Sequence, residues 1–309
     1  MRTWLGWLKT VEGRLAVTAL VVGVVLLAAK FTAYAMTGSA AIFSDAMESI
    51  VNVVASVIAL SALKYAAQPA DRRHPYGHGK IEFMSAGLEG GMIVLAAAAI
   101  IFKTVDTLLF HHIDLHDVGL GLIIMVLAMA ANAAMGWTLV RAGRKRHSMT
   151  MEADGWHLLS DAITSVATIL ALAIVKITGF VYADPIAALL VAVYIGVMGW
   201  SLLRRAYGGL MDAQDIEDDR LIRLILESHV GPAGKEPRIC SFHKLRCRHS
   251  GRYHWVEFHA VVPASLTVRE GHEIASAIEY EIEQTLGHAN ATAHVEPCDD
   301  GECGRCRVR

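Results

Sequence analysis

Residues 153–165 read Ala-Asp154-Gly-Trp-His157-Leu-Leu-Ser-Asp161-Ala-Ile-Thr-Ser165, and residues 44–56 read Ser-Asp45-Ala-Met-Glu48-Ser-Ile-Val-Asn52-Val-Val-Ala-Ser56. In both, polar groups fall at i, i+3 and i+7, one face of a helix, with apolar side chains around the rest. The two segments repeat one pattern 109 residues apart. Each sits in a long apolar run. An ionisable group at a bilayer centre costs on the order of 2.5–3.5 kcal/mol unless it is paired or hydrated, so these six side chains need a reason to be there.

Working outward, the apolar runs recur. A spanning helix needs roughly 20 mostly apolar residues, and segments near 15–36, 40–63, 84–110, 118–139, 153–175 and 185–203 qualify. The reading is an α-helical membrane protein of six transmembrane helices. Composition agrees: of 309 residues, 54% are hydrophobic and 19% charged, with mean hydropathy +0.41, outside the range of ordinary soluble domains. A disordered chain and a collagen-like fibre are excluded too. The net charge of −2 leaves no electrostatic footprint for nucleic acid.

Lys and Arg set the orientation. Arg2, Lys9 and Arg14 precede the first run, Arg72, Arg73 and Lys80 fill the second connection, Arg141, Arg144, Lys145 and Arg146 the fourth, and Arg204 and Arg205 follow the sixth. The other three connections carry none. By the positive-inside rule both termini are expected to be cytoplasmic, and the first run is expected to be a retained span of an inner (plasma) membrane protein.

All five cysteines and eight of the fifteen histidines follow Met211, where the apolar runs stop. Three segments are therefore expected: a transport domain at 1–211, a polar metal-binding domain at 212–297 and a Cys-containing tail at 298–309. Residues 215–230 read as a helix opened by acidic residues. Residues 239–248 and 252–262 read as a hairpin around Ser250-Gly251, with Val256, Phe258, Ala260 and Val262 alternating on one face. A helix over 268–286 and a strand over 292–296 complete an αββαβ order, expected to be a ferredoxin-like α+β domain. His294 and Glu296 then share a face, and His259 lies opposite the Val256/Phe258 row.

Any one buried Asp or His in a span can be an interhelical hydrogen bond; six in matched registers favour a ligand set. Glu48, Asn52, His157 and Asp161 offer one imidazole nitrogen and three oxygens, a four-coordinate set for a divalent transition metal, zinc included. Two carboxylates balance a dication, and protons can do the same, with His157 the group best suited to titrate near neutral pH. That is the physical basis of metal/proton exchange.

These residues, with Thr37-Gly38-Ser39, Gln68-Pro-Ala-Asp71-Arg-Arg-His74-Pro-Tyr-Gly-His78-Gly-Lys80, Asp184-Pro185, His243-Lys-Leu-Arg246 and His294-Val-Glu296-Pro297, resemble the cation diffusion facilitator family, most closely its bacterial ferrous-iron/zinc efflux branch. The resemblance covers nearly the whole chain. It implies a homodimer, not an enzyme, that exports a divalent metal in exchange for protons by alternating access. The transport site it implies is Glu48, Asn52, His157 and Asp161, although the family usually has Asp or His at the first position and Asp at the second. Asp45, one turn away, is expected either to supply the missing carboxylate or, as its counterpart Asp154 favours, to line the exit route, and both count among the candidate metal residues. The resemblance further implies a loop site of Asp71, His74 and His78, and an interlock between Lys80 and Asp212. In the tail it implies a two-metal cluster from His243, His259, His272, His294 and Glu296, in which Glu296 replaces a bridging Asp.

Other residues stay outside that pattern. Cys298, Cys303 and Cys306 have a spacing that suggests an auxiliary soft-metal site, and a cytoplasmic address argues against a structural disulfide. His229, His249, His254 and His288 read as surface residues, and Cys240 and Cys247 have no spacing logic. Glu89 stays unassigned. The cargo is expected to be zinc, with iron(II), manganese, cobalt, nickel and cadmium open. A metalloprotease is disfavoured because His272-Glu273 lacks a second His. A membrane-anchored sensor that does not transport is the alternative function.

Overall fold

A computed structural model describes residues 7, 9–37, 40–110, 119–179, 182–231 and 233–298. The chain divides into two compact units, Met1–Gly208 and Gly209–Arg309.

The first unit contains six long helices: α1 (Val11–Thr37), α2 (Ala40–Ala66), α3 (Ile81–Phe110), α4 (Gly119–Arg146), α5 (Met149–Thr178) and α6 (Ala183–Leu210). At 1.5 Å per residue, 27–30 residues give about 40 Å or more, longer than a hydrocarbon core of about 30 Å. Among the described residues, α1, α3 and α6 contain stretches long and apolar enough to cross a membrane. Large apolar side chains cover the outside of this unit, among them Leu95, Phe102, Trp137, Ile177, Leu190 and Val197, as a lipid solvent allows and water does not.

Helix α5 packs on both sides. Met151 and Leu158 join Ala16 and Ala19 of α1, Leu63 of α2 and Leu139 of α4 in one buried cluster; Ala153 joins Ala86, Ile93 and Ala97 of α3 and Ile195, Leu202 and Ala206 of α6 in another. Helices α4 and α5 form a hairpin whose two-residue turn contains His147 at φ 52°. Their backbones approach so closely that a Cβ on Gly155 would lie 2.6 Å from the Val140 nitrogen, and one on Gly136 2.7 Å from the Gly155 oxygen. Small residues at such positions let membrane helices pack through backbone contact. This packing fixes the helix that carries His157 and Asp161.

The second unit follows the αββαβ order: α7 (Ile216–Ser228), β1 (Ser241–Ser250), β2 (Tyr253–Pro263), α8 (Val268–Leu286) and β3 (Ala289–Cys298). The sheet order is β1-β2-β3, with β1 antiparallel and β3 parallel to β2. Asp215 caps α7, its carboxylate accepting from the Glu217 and Asp218 amides, and a Thr267/Glu270 capping box opens α8. Ile222 and Leu226 of α7 and Ile278 and Ile282 of α8 pack on Val256, Phe258, Ala260 and Val262 of β2, so both helices lie on one face of the sheet.

One irregularity matters for chemistry. Between the pairs His243↔His259 and Arg246↔Glu257, β1 takes three steps while β2 takes two, and Lys244 adopts φ 51°. This bulge inverts the side-chain alternation. Leu245 and Cys247 point into the core, whereas His243 is turned to the open face beside His259.

Candidate metal sites

The matched polar faces of α2 and α5 meet. His157 Nε2 donates to Asn52 Oδ1 at 2.9 Å, and Asn52 Nδ2 donates to Asp161 Oδ2 at 2.5 Å. Asn52 and His157 are each 8% exposed. Thus three of the four expected transport ligands form one hydrogen-bonded string between two helices. Glu48 and Asp45 have side chains outside the described residues. In a tetrahedral zinc site with bonds of about 2.0–2.1 Å, ligand atoms stand roughly 3.3 Å apart. The string is tighter than that, so a metal must spread and replace its hydrogen bonds.

Two features beside this string rest on burial that the sequence pattern does not show. A small cavity adjoins Asn52, lined by Lys30, Ser49, Ser56 and Asn132, and Lys30 is a buried lysine inside the first apolar run. On the α3 side, Asp154 is 3% exposed, and Glu89 is wholly buried with Ser85 Oγ donating to its Oε1 at 3.3 Å. Asp154 is an electrostatic neighbour of both His157 and Glu89. Buried Asp154 Oδ1 and Glu89 Oε2 have no hydrogen-bond partner among the described residues. Asp154 is thus a buried neighbour of His157 that connects the site electrostatically to Glu89.

The connection between α2 and α3 builds a second group. Asp71 Oδ1 accepts from the Arg73 and His74 amides at 2.8 and 2.7 Å, an Asx turn that fixes the loop. His74 Nδ1 lies 3.2 Å from Asp71 Oδ1 and 3.0 Å from His78 Nε2, which is 3.5 Å from Asp71 Oδ2. These separations bracket the tetrahedral value. The Tyr65 ring packs edge-on against His78, which is buried. The His74 amide, despite an opposing desolvation effect, holds the Asp71 carboxyl below its ordinary value.

On the open face of the sheet, His243, His259 and His294 stand in one cross-strand row through the pairs His243↔His259 and His259↔His294. Glu296 spans the row: Oε1 accepts from His259 Nδ1 at 2.6 Å, Oε2 lies 3.1 Å from His243 Nε2, and His294 Nε2 is 3.8 Å from Oε1. The longer Glu side chain therefore reaches two histidines at once. The hydrogen bond from His259 is the main cause that lowers the Glu296 carboxyl. His272 is not brought into this group: it is exposed on α8, whose buried side packs on the other face of the sheet.

Lys80 immediately precedes α3 in the first unit, and Asp212, at φ 55°, has Oδ2 3.8 Å from Arg248 Nη1 within the second. Cys298 ends β3; Cys303 and Cys306 lie outside the described residues. Cys240 is disulfide-bonded, contrary to the expectation drawn from a cytoplasmic address.

Three histidines read as surface residues are not. His229 is fully buried, with Nδ1 donating to the Pro237 carbonyl at 2.7 Å and Nε2 3.3 Å from Glu281. His249 and His254 turn inward toward Asp218. Strand parity carries the signal for His254: it lies two places before Val256, in the row that faces the core.

Known proteins resemble both parts of the chain. The model of the cation efflux transmembrane domain matches residues 16–211, and that of the cation efflux protein cytoplasmic domain matches residues 233–298. An uncharacterized transporter of Synechocystis sp. is 38% identical over 271 residues, 88% of this chain and 86% of that protein. The cation-efflux pump FieF of Shewanella oneidensis is 30% identical over 292 residues, 94% of each chain. Metal tolerance protein 2 of Oryza sativa subsp. japonica is 30% identical over 288 residues, 85% of this chain and 72% of its own. The chain belongs to the cation efflux family of membrane transporters, the cation diffusion facilitators, in the bacterial branch that includes FieF.

Proposed function

We propose that this protein exports a divalent transition metal, zinc foremost, from the cytoplasm in exchange for protons. It does so as a homodimer of chains with six membrane crossings, cytoplasmic termini and a ferredoxin-like cytoplasmic domain in the inner membrane. The observation that carries the reading is the buried string His157–Asn52–Asp161 between α2 and α5.

Its chemistry makes metal and proton mutually exclusive. In the metal-free arrangement the His157 Nε2 proton is held by Asn52 Oδ1, and the Asp161 carboxylate by the Asn52 amide. Metal entry needs a bare Nε2 and a bare carboxylate: a doubly protonated His157 gives its Nε2 proton to water and keeps the one on Nδ1, and the Asn52 amide turns to present its oxygen to the ion. Glu48, one turn before Asn52, supplies the fourth ligand and the second negative charge. On the far side protons return to Nε2 and the carboxylates, and neutralise a site that is otherwise costly to bury. Each cargo stabilises the arrangement in which it binds, the requirement for alternating access.

Zinc follows from the nitrogen and oxygen donor set. Homodimerisation rests on the match to the cytoplasmic domain model. In proteoliposomes containing purified protein and a zinc-sensitive dye, an imposed pH gradient is expected to drive zinc flux that collapses when the gradient is discharged. Flux that ignores the gradient would refute proton exchange.

A further inference from the structure

The inward group in the second unit takes its members from three elements. Asp218 stands in the first turn of α7, and His249 and His254 are cross-strand partners flanking the Ser250-Gly251 turn. His249 Nε2 lies 2.8 Å and His254 Nδ1 2.7 Å from the same oxygen, Asp218 Oδ2. Cys247 Sγ, two places before His249 on the same side of β1, lies 3.9 Å from that oxygen. The His249, His254 and Asp218 side chains are 18%, 6% and 13% exposed, and Cys247 is a buried free thiol.

A purely structural ion pair accounts for part of this. His254 donating to Asp218 would satisfy both. It does not account for a second imidazole brought to the same oxygen, with His249 Nε2 at 2.8 Å beside His254 Nδ1 at 2.7 Å, nor for a thiol 3.9 Å from it. One imidazole is enough to satisfy that oxygen; two of them and the carboxylate, with their ligand atoms all within 4.8 Å of one another, make a group that a small divalent ion can bridge.

We propose that Asp218, His249, His254 and Cys247 form a binding site for a zinc-class divalent ion inside the cytoplasmic unit. Two nitrogens, one oxygen and one thiolate are a tetrahedral set that favours zinc or cobalt over magnesium, calcium or manganese. From the usual bond lengths the nitrogen and oxygen ligands stand roughly 3.3 Å apart; His249 and His254 need to draw back from Asp218 by about half an ångström, while Cys247, outside the group of three whose ligand atoms lie within 4.8 Å of one another, must move further to join them. The site is separate from the His243–His259–His294 row, because residues 254 and 259 project from opposite faces of β2. A bound ion would pin the first turn of α7 to the end of the hairpin. Its test reads binding, so its failure leaves the transport proposal untouched.

The full-length protein in detergent, carrying His243→Ala and His259→Ala to remove the open-face row, is titrated with cobalt(II). Expected are tetrahedral visible bands with a thiolate charge-transfer component. Cys247→Ser and His249→Gln should each remove that share of the charge-transfer band and lower bound cobalt by one equivalent. Identical spectra and stoichiometry in all three proteins would overturn the proposal. Should a variant fail to fold, the background protein decides alone: zinc is expected to slow alkylation of Cys247 in mild denaturant at least tenfold, and equal rates with and without zinc would refute the site.

Discussion

His157 Nε2 and Asn52 Oδ1 meet at 2.9 Å across 105 residues of sequence, and the amide passes the contact on to Asp161 at 2.5 Å. A neutral residue thus sits where the family commonly places a carboxylate, and it acts as both acceptor and donor. An aspartate could accept from His157, but in its ionised form it could only repel Asp161.

Asn52→Asp should therefore change selectivity as well as rate. The added charge strengthens the attraction for a dication, while like charges at such range raise the affinity for a proton. The variant is expected to lose transport more steeply as cytoplasmic pH falls, and to reorder its preference among zinc, iron(II), manganese and cadmium. Flux assays across pH and metal check this; an unchanged profile would mean that Asn52 does not set preference.

The α4–α5 hairpin offers a test of packing. Gly155→Ala places a methyl where the Val140 backbone nitrogen would be 2.6 Å away, so the helices must separate. Overpacking of this kind costs about 1–3 kcal/mol. Thermal unfolding in detergent should show a lowered midpoint, and metal affinity should fall because α5 carries His157 and Asp161. An Ala at Gly91, which meets nothing within 4 Å, is the matched control.

Asp154 is a buried electrostatic neighbour of His157, and the buried Glu89 is a neighbour of Asp154 in turn. Glu89→Gln keeps the shape and the contact with Ser85 while removing the ability to exchange a proton. The expected result is a folded protein that binds zinc with wild-type stoichiometry yet responds less to an imposed pH gradient. Unchanged gradient dependence would leave Glu89 a packing residue.

In the cytoplasmic unit, Lys235 donates to Glu281 at 2.6 Å and His229 faces the same oxygen. The Lys235 hydrogen bond is the largest cause that holds the Glu281 carboxyl below its ordinary value. A lowered carboxyl binds protons less readily folded than unfolded, so its stabilisation is complete above the ordinary carboxylate range and is lost as pH falls through the lowered value. Glu281→Gln should accordingly weaken hydrogen-exchange protection near His229 at pH 7, and the difference should vanish in acid. A difference that persists unchanged at low pH would contradict this origin.

The long helices and the αββαβ order were legible because hydropathy and alternation are local signals. The Asp71, His74 and His78 group was legible for a similar reason: its members lie within eight residues. His243 and His249 were not. They share a parity along β1, and only the bulge at Lys244 sends one to the open face and the other to the core. His272 is separated from its expected partners by the thickness of the sheet, a tertiary fact absent from spacing. Lys30 and Glu89 were hidden in the opposite way, as single ionisable residues whose burial depends on which neighbours surround them.

Coupling is the central claim, and the most direct test imposes no pH gradient at all. Proteoliposomes loaded with a pH-sensitive dye are given an inward zinc gradient at equal pH, with wild-type protein or Asp161→Asn. The account predicts that zinc entry with wild-type protein drives protons out and makes the lumen alkaline, and that Asp161→Asn abolishes both fluxes together. Zinc entry without proton movement, or an unaffected Asp161→Asn, would contradict it.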